Sequence, residues 1–217
     1  MGIFSLITPL AMLVGACTES SSKPIEHSMS ETAIPAGIKT DTATFATGCF
    51  WCTEAIFQEL KGVLKATSGY SGGTVIKPTY EEVSTGATGH AECLQIIYDP
   101  KVITFDELLE VFWEAHDPTS LNRQGADEGT QYRSAIFYHN AEQKQKAEHY
   151  KAELDKSGAY NRPIVTEITP FNVFYPAENY HQDYYRLNGS APYCSFVIRP
   201  KVEKFEKVFK DKLKPKK

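Results

Sequence analysis

Thr42-Ala43-Thr44-Phe45-Ala46-Thr47-Gly48-Cys49-Phe50-Trp51-Cys52-Thr53-Glu54-Ala55-Ile56-Phe57-Gln58-Glu59-Leu60 changes its period in the middle. Thr42 to Thr47 alternates as a strand does, and Trp51 to Leu60 carries apolar residues at helical spacing, so Gly48-Cys49 falls at a strand-to-helix turn. Working outward, composition and alternation predict further strands at Val63 to Ser68, Ala91 to Tyr98, Arg133 to Tyr138, Ile164 to Thr169 and Tyr193 to Ile198. Helices are predicted at Thr104 to His116, Ala141 to Lys156, Pro176 to Asn188 and Val202 to Leu213. Strands and helices mix without a regular strand-helix-strand rhythm. Ser71 to Gly89 and Asp117 to Tyr132 are rich in Gly, Pro, Thr and Asp, which predicts a single α+β domain over residues 42–217 with two long functional loops.

The chain has 217 residues, 41% hydrophobic and 23% charged, with a net charge of -4 and 12% aromatic residues. That supports one sizeable core. No apolar run approaches the roughly 20 residues that cross a bilayer, which excludes a polytopic membrane protein. The mild acidity gives no field for phosphate backbones, so nucleic acid is not an expected partner. Arg199 to Lys217 holds nine Lys/Arg against three Asp/Glu, and the spacing of Val202, Phe205, Val208 and Phe209 makes this segment an amphipathic helix that covers the core. Five cysteines cannot all be paired with one another, so at least one is free, modified or reactive.

Ile3 to Ala16 has the length of a signal-peptide apolar region and ends in Val14-Gly15-Ala16-Cys17, which resembles a bacterial lipobox. Residues 1–16 then read as a leader, Cys17 as a lipid anchor, and residues 17–41, with five serines between Thr18 and Ser30, as a polar tether. Met1 to Ser5 lacks Lys and Arg. A processed leader places the protein in the cell envelope, held to the membrane by lipid alone; an unprocessed one leaves it cytoplasmic.

A cysteine at the start of a helix meets unpaired backbone N–H groups and the positive end of the helix dipole, which favour thiolate. Phe50 and Trp51 beside it offer an apolar wall that would accept a methyl or thioether group. Gly48-Cys49-Phe50-Trp51-Cys52-Thr53-Glu54 resembles the active-site signature of the A-type peptide methionine sulfoxide reductases. Gly69-Tyr70-Ser71-Gly72-Gly73, Pro78-Thr79-Tyr80-Glu81-Glu82-Val83, Gly89-His90-Ala91-Glu92, Gln124-Gly125, Asp127, Gly129-Thr130-Gln131-Tyr132-Arg133-Ser134-Ala135-Ile136 and Ala177-Glu178-Asn179-Tyr180-His181-Gln182 follow in the family's order, from about Thr44 to Lys201. Many short motifs in one order are far more specific than any one of them.

The resemblance implies a two-layer sandwich with a mixed sheet and a ferredoxin-like core. It also implies reduction of the S epimer of methionine sulfoxide, free or in proteins, without a bound cofactor or metal, by a chain expected to be monomeric. On that reading Cys49 attacks the sulfoxide sulfur, and Glu92, desolvated in an apolar strand, protonates the oxygen. Tyr80 and Tyr132 donate hydrogen bonds to the same oxygen. Phe50 and Trp51 hold the methyl group, and Asp127 takes a substrate backbone N–H or positions water. Glu178 and His181 match family motifs as supporting residues. Cys49 is left as a sulfenic acid that a second thiol must resolve, and a thioredoxin-like reductant then completes the cycle. Cys194 in Pro192-Tyr193-Cys194 matches a resolving position of the family, and Cys52 stands at the spacing of redox Cys-x-x-Cys pairs, so both remain candidates. Strand alternation turns Cys93 away from Glu92, toward packing. The competing reading is a thioredoxin-like disulfide oxidoreductase built on Cys49 and Cys52, with Glu92 dispensable. A zinc site is disfavoured because no second Cys-x-x-Cys or His pair stands at ligand spacing.

Overall fold

The computed structural model describes Ile34 and residues 37–215; the leader, Cys17 and most of the tether lie outside the described residues. β1 (Asp41–Thr47) runs into α1 (Phe50–Phe57), followed by β2 (Val63–Ser71), α2 (Tyr80–Ser84), β3 (Ala91–Tyr98) and α3 (Phe105–Ala115). A short hairpin, β4 (Arg123–Gln124) and β5 (Asp127–Glu128), precedes β6 (Ser134–Tyr138), α4 (Ala141–Ser157), β7 (Glu167–Pro170), β8 (Phe174–Pro176), α5 (Tyr184–Leu187) and α6 (Arg199–Val208). Six strands form one sheet in the order β7-β6-β1-β3-β2-β8. Only the β6–β7 pair is parallel, so the sheet is mixed. Within it, β1-α1-β2-β3-α3-β6 is a split βαββαβ unit with strand order β6-β1-β3-β2, the ferredoxin-like arrangement that the resemblance implies.

Alternation along the central strands separates two apolar layers. Ala43 and Phe45 of β1, Leu94 and Ile96 of β3, and Ile136 of β6 meet α1, α3 and α6 in the main core. The intervening Ala46, Ala91, Cys93, Ala135 and Phe137 pack on the opposite face against Phe171 and Phe174. Glu92 shares the parity of Leu94, so it faces the helices, whereas Cys93 faces away and its thiol approaches the Gly69 carbonyl at 3.6 Å. Phe45 has no exposed surface and touches the rings of Phe57, Phe105 and Phe112 at 5.7, 5.9 and 5.1 Å. Phe45→Ala is expected to cost about 3–5 kcal/mol, read as a lower urea midpoint with unchanged slope.

Four expectations are corrected. Tyr193 to Ile198 is not a strand: Cys194–Ile198 forms a π-helical turn that runs directly into α6. Its aromatic and branched residues suit a buried helix as well as a strand, and the turn buries Cys194 and Ile198 in the main core. Pro176 to Asn188 is not one helix but the end of β8, a 3₁₀ turn at Asn179–His181 and the single turn of α5. Here the Gln182 side chain accepts from the Ser68 N–H at 3.0 Å and donates to the Ser68 and Ala177 carbonyls at 2.9 Å each, fixing the segment by long-range bonds. In the C-terminal helix, Val202, Phe205 and Phe209 are buried as expected, but Val208 is 56% exposed because α6 ends there. The loop expected from Ser71 to Gly89 contains α2, started by a reciprocal capping box between Thr79 and Glu82.

Candidate active site

β1 delivers the chain to Gly48, whose φ of +92° is a left-handed value that favours glycine. A Cβ at Gly48 would also stand 2.6 Å from the Gln124 Cβ, so the turn has no room for another residue. Gln124 is itself fixed to Asp117, accepting from its N–H at 3.0 Å and donating to its carbonyl at 3.1 Å. Cys49 occupies the N-cap of α1. Its carbonyl accepts from the Thr53 hydroxyl at 3.2 Å, and Thr53 in turn bonds Thr47 at 2.7 Å, so strand end and helix start are tied together.

Cys49 is 7% exposed and Glu92 2% exposed. The Phe50 N–H, one of the free donors of the helix start, donates to Glu92 Oε2 at 3.0 Å, which brings the carboxyl to the base of the Cys49 turn. Burial, followed by the proximity of Cys49, holds the Glu92 carboxyl well above the usual carboxylate range. Burial also pushes the Cys49 thiol well up, with its neighbour Cys52 adding to the shift; the Tyr193 hydroxyl and the Cys52 backbone N–H act the other way. Desolvation therefore outweighs the helix terminus here. Both shifts favour the uncharged forms, thiol and carboxyl.

Aromatic side chains enclose these groups. The Phe50 ring lies 6.5 Å from Tyr80, nearly parallel to it, and 5.0 Å from His181. Trp51 stacks on Tyr184 at 3.7 Å and donates its indole N–H to His181 Nδ1 at 3.1 Å. Glu178 anchors Tyr80 by accepting its backbone N–H at 2.9 Å, and it also accepts the Tyr70 hydroxyl at 2.9 Å. Tyr80 and Tyr132 are half-buried, and both phenols are held above their ordinary value by burial first and Glu92 second, so they remain donors. Asp127 accepts the Tyr193 hydroxyl at 2.7 Å, and Tyr193 meets the edge of Trp51 at 5.8 Å. Cys194 is fully buried.

Cys49, Phe50, Trp51, Tyr80, Glu92, Asp127 and Tyr132 therefore meet at one end of the central strands. Three participants carried no signal of their own in the sequence. Tyr193 stood only as the neighbour of Cys194, Tyr184 lay inside a segment read as one helix, and Lys201 belonged to a basic segment read as an amphipathic helix covering the core. Lys201 Nζ lies 3.8 Å from Cys52 Sγ. Two cavities, of about 480 and 350 Å³, open elsewhere, among α3, α4, α6 and the segment after α4.

Comparison with known proteins gives a single answer. The curated peptide methionine sulfoxide reductase of Saccharolobus solfataricus is 54% identical over 174 residues, covering 80% of this chain and 97% of the relative. That of Thermus thermophilus is 54% identical over 175 residues, covering 81% and 98%. Among solved structures, Mxr1 from Saccharomyces cerevisiae in reduced form superposes with a TM-score of 0.67 at 37% identity, over 74% of this chain and 95% of that one. Methionine sulfoxide reductase A of Corynebacterium diphtheriae gives a TM-score of 0.64 at 41% identity, over 70% and 76%. With the family's sequence model matching residues 41–213 as well, the chain belongs to the peptide methionine sulfoxide reductases.

Proposed function

We propose that the protein reduces the S epimer of methionine sulfoxide, free and within oxidised proteins, to methionine. The observation that carries this reading is the buried Glu92 carboxyl, placed at the foot of the Cys49 turn by the Phe50 N–H and raised well above the usual carboxylate range by burial. A sulfoxide sulfur becomes electrophilic only as its oxygen gains a proton, and Glu92 is a proton donor in a site that excludes water.

Cys49 sulfur attacks the sulfoxide sulfur while Glu92 protonates the oxygen, with the Tyr80 and Tyr132 hydroxyls steadying the charge there. The sulfur–oxygen bond of the substrate breaks, the oxygen and its proton pass to Cys49 as a sulfenic acid, and methionine leaves. The proton given up by the Cys49 thiol restores the Glu92 carboxyl. Phe50 and Trp51, fixed by Tyr184 and His181, receive the methyl group. A second thiol of this chain condenses with the sulfenic acid, and a thioredoxin-like dithiol reduces the disulfide by exchange. The disulfide-oxidoreductase reading built on Cys49 and Cys52 leaves Glu92 and the aromatic box without a task. The lipobox-like Val14-Gly15-Ala16-Cys17 supports a lipid-anchored enzyme outside the cytoplasmic membrane, where disulfides persist unless a reductant is delivered.

With dithiothreitol as reductant, the purified protein is expected to convert the S epimer of a blocked methionine sulfoxide completely and to leave the R epimer untouched, as separated by chiral chromatography. Methionine formation from neither epimer, or equal consumption of both, overturns the proposal.

A further inference from the structure

Cys52 lies in the first turn of α1, three residues after Cys49, and is 4% exposed. A sulfur so buried is ordinarily an inert small hydrophobe. Yet Lys201, 149 residues further along the chain and in the first turn of α6, reaches across to place its ammonium 3.8 Å from the Cys52 sulfur. No carboxylate among the described residues lies within ion-pair distance of Lys201. A cation at that distance favours a thiolate. The contact with the Cys49 thiol, and after it the charge of Lys201, draw Cys52 below the ordinary thiol value against its own burial, whereas burial raises both Cys49 and Cys194. The titratable groups facing Cys52 are Cys49 at the head of α1, Lys201 on α6, Asp127 on β5 and Tyr193 ahead of the π turn.

We propose that Cys52 is the thiol that resolves the Cys49 sulfenic acid, and that Lys201 is the positioning residue that keeps it ready as a thiolate. The inference rests on Cys49 being the oxygen-accepting thiol. The Cys52 thiolate attacks the Cys49 sulfur, the sulfur–sulfur bond forms as the sulfur–oxygen bond breaks, and hydroxide leaves as water with the proton Cys52 released. Cys49 falls from the sulfenic to the disulfide oxidation level and Cys52 is oxidised to it. Residues one helical turn apart hold their Cα atoms roughly 5–6 Å from each other, inside the disulfide range, so no element has to move.

The test is a single turnover of the full-length enzyme with excess S sulfoxide and no reductant, quenched by alkylation at short times and mapped by mass spectrometry. In the wild type the first disulfide is Cys49–Cys52. In Lys201→Met its formation slows about tenfold at pH 7 relative to methionine release in the same mixture, recovers toward pH 9 as the thiol ionises unaided, and is restored at pH 7 in Lys201→Arg. Methionine release is the internal reference, so a folding defect that slows both steps is told apart. A first disulfide between Cys49 and Cys194 in the wild type overturns the inference without any variant. So does a Lys201→Met rate unchanged at pH 7, or slowed equally at every pH. Wild-type protein that releases no methionine at all overturns the proposed function instead.

Discussion

Cys49→Ser is expected to lower methionine formation by a factor of about 10⁴ or more, because a hydroxyl in the same turn is neither acidic enough to attack a sulfoxide nor able to hold its oxygen reversibly. The fold should survive, since Cys49 is an N-cap position and serine is a favoured N-cap residue. The measurement is methionine release with dithiothreitol, beside the mass of the protein after incubation with sulfoxide alone. The wild type loses the two hydrogens of a disulfide and the variant keeps its mass. Full conversion by Cys49→Ser would place the oxygen acceptor elsewhere in the chain.

Glu92→Gln should cost about 10²–10⁴-fold in methionine release while retaining the acceptor for the Phe50 N–H, because the amide has the carboxyl's shape but no acidic proton. The pH dependence carries the sign. The raised carboxyl keeps its proton to higher pH than an ordinary one, so wild-type activity falls as pH rises through the Glu92 value, and that limb is absent in the variant. Stability moves in the same direction. Unfolded Glu92 ionises in the ordinary carboxyl range, so between that range and the raised folded value the native state alone keeps the proton, and stability drops with rising pH. The urea midpoint of Glu92→Gln should therefore gain on the wild type as pH rises above the ordinary carboxyl range toward the raised folded value. An unchanged difference in midpoint across that range would show that Glu92 is ionised in the folded protein.

The nucleophile's setting was legible because it depends on local features: a period change across Gly48-Cys49 and aromatics directly after the cysteine. Glu92 was legible only through the motif Gly89-His90-Ala91-Glu92, since a glutamate in a strand ordinarily faces water. What the sequence concealed is carried by side chains that bond across long separations. Gln182 replaces the backbone partners of Ser68, 114 residues away, and so converts a helical pattern into turns. Glu178 joins Tyr70 to the start of α2, and neither bond has a periodicity. The helix-start cysteine was read as a ready thiolate; its burial makes it a thiol at rest, and local spacing contains no measure of burial.

The position of β1 has a consequence for biosynthesis. Among the described strands it is the first to be made, yet it is central, pairing with β3 on one side and β6 on the other. Its second neighbour is complete only at Tyr138, and Tyr184, Tyr193 and Lys201 arrive later still. Cys49 and Cys52 thus emerge from the ribosome early and stay open to solvent until nearly the whole domain has been synthesised. Any oxidant or stray thiol that meets the nascent chain meets these two thiols before the fold can shelter them, so the chain's most vulnerable moment comes before its first turnover.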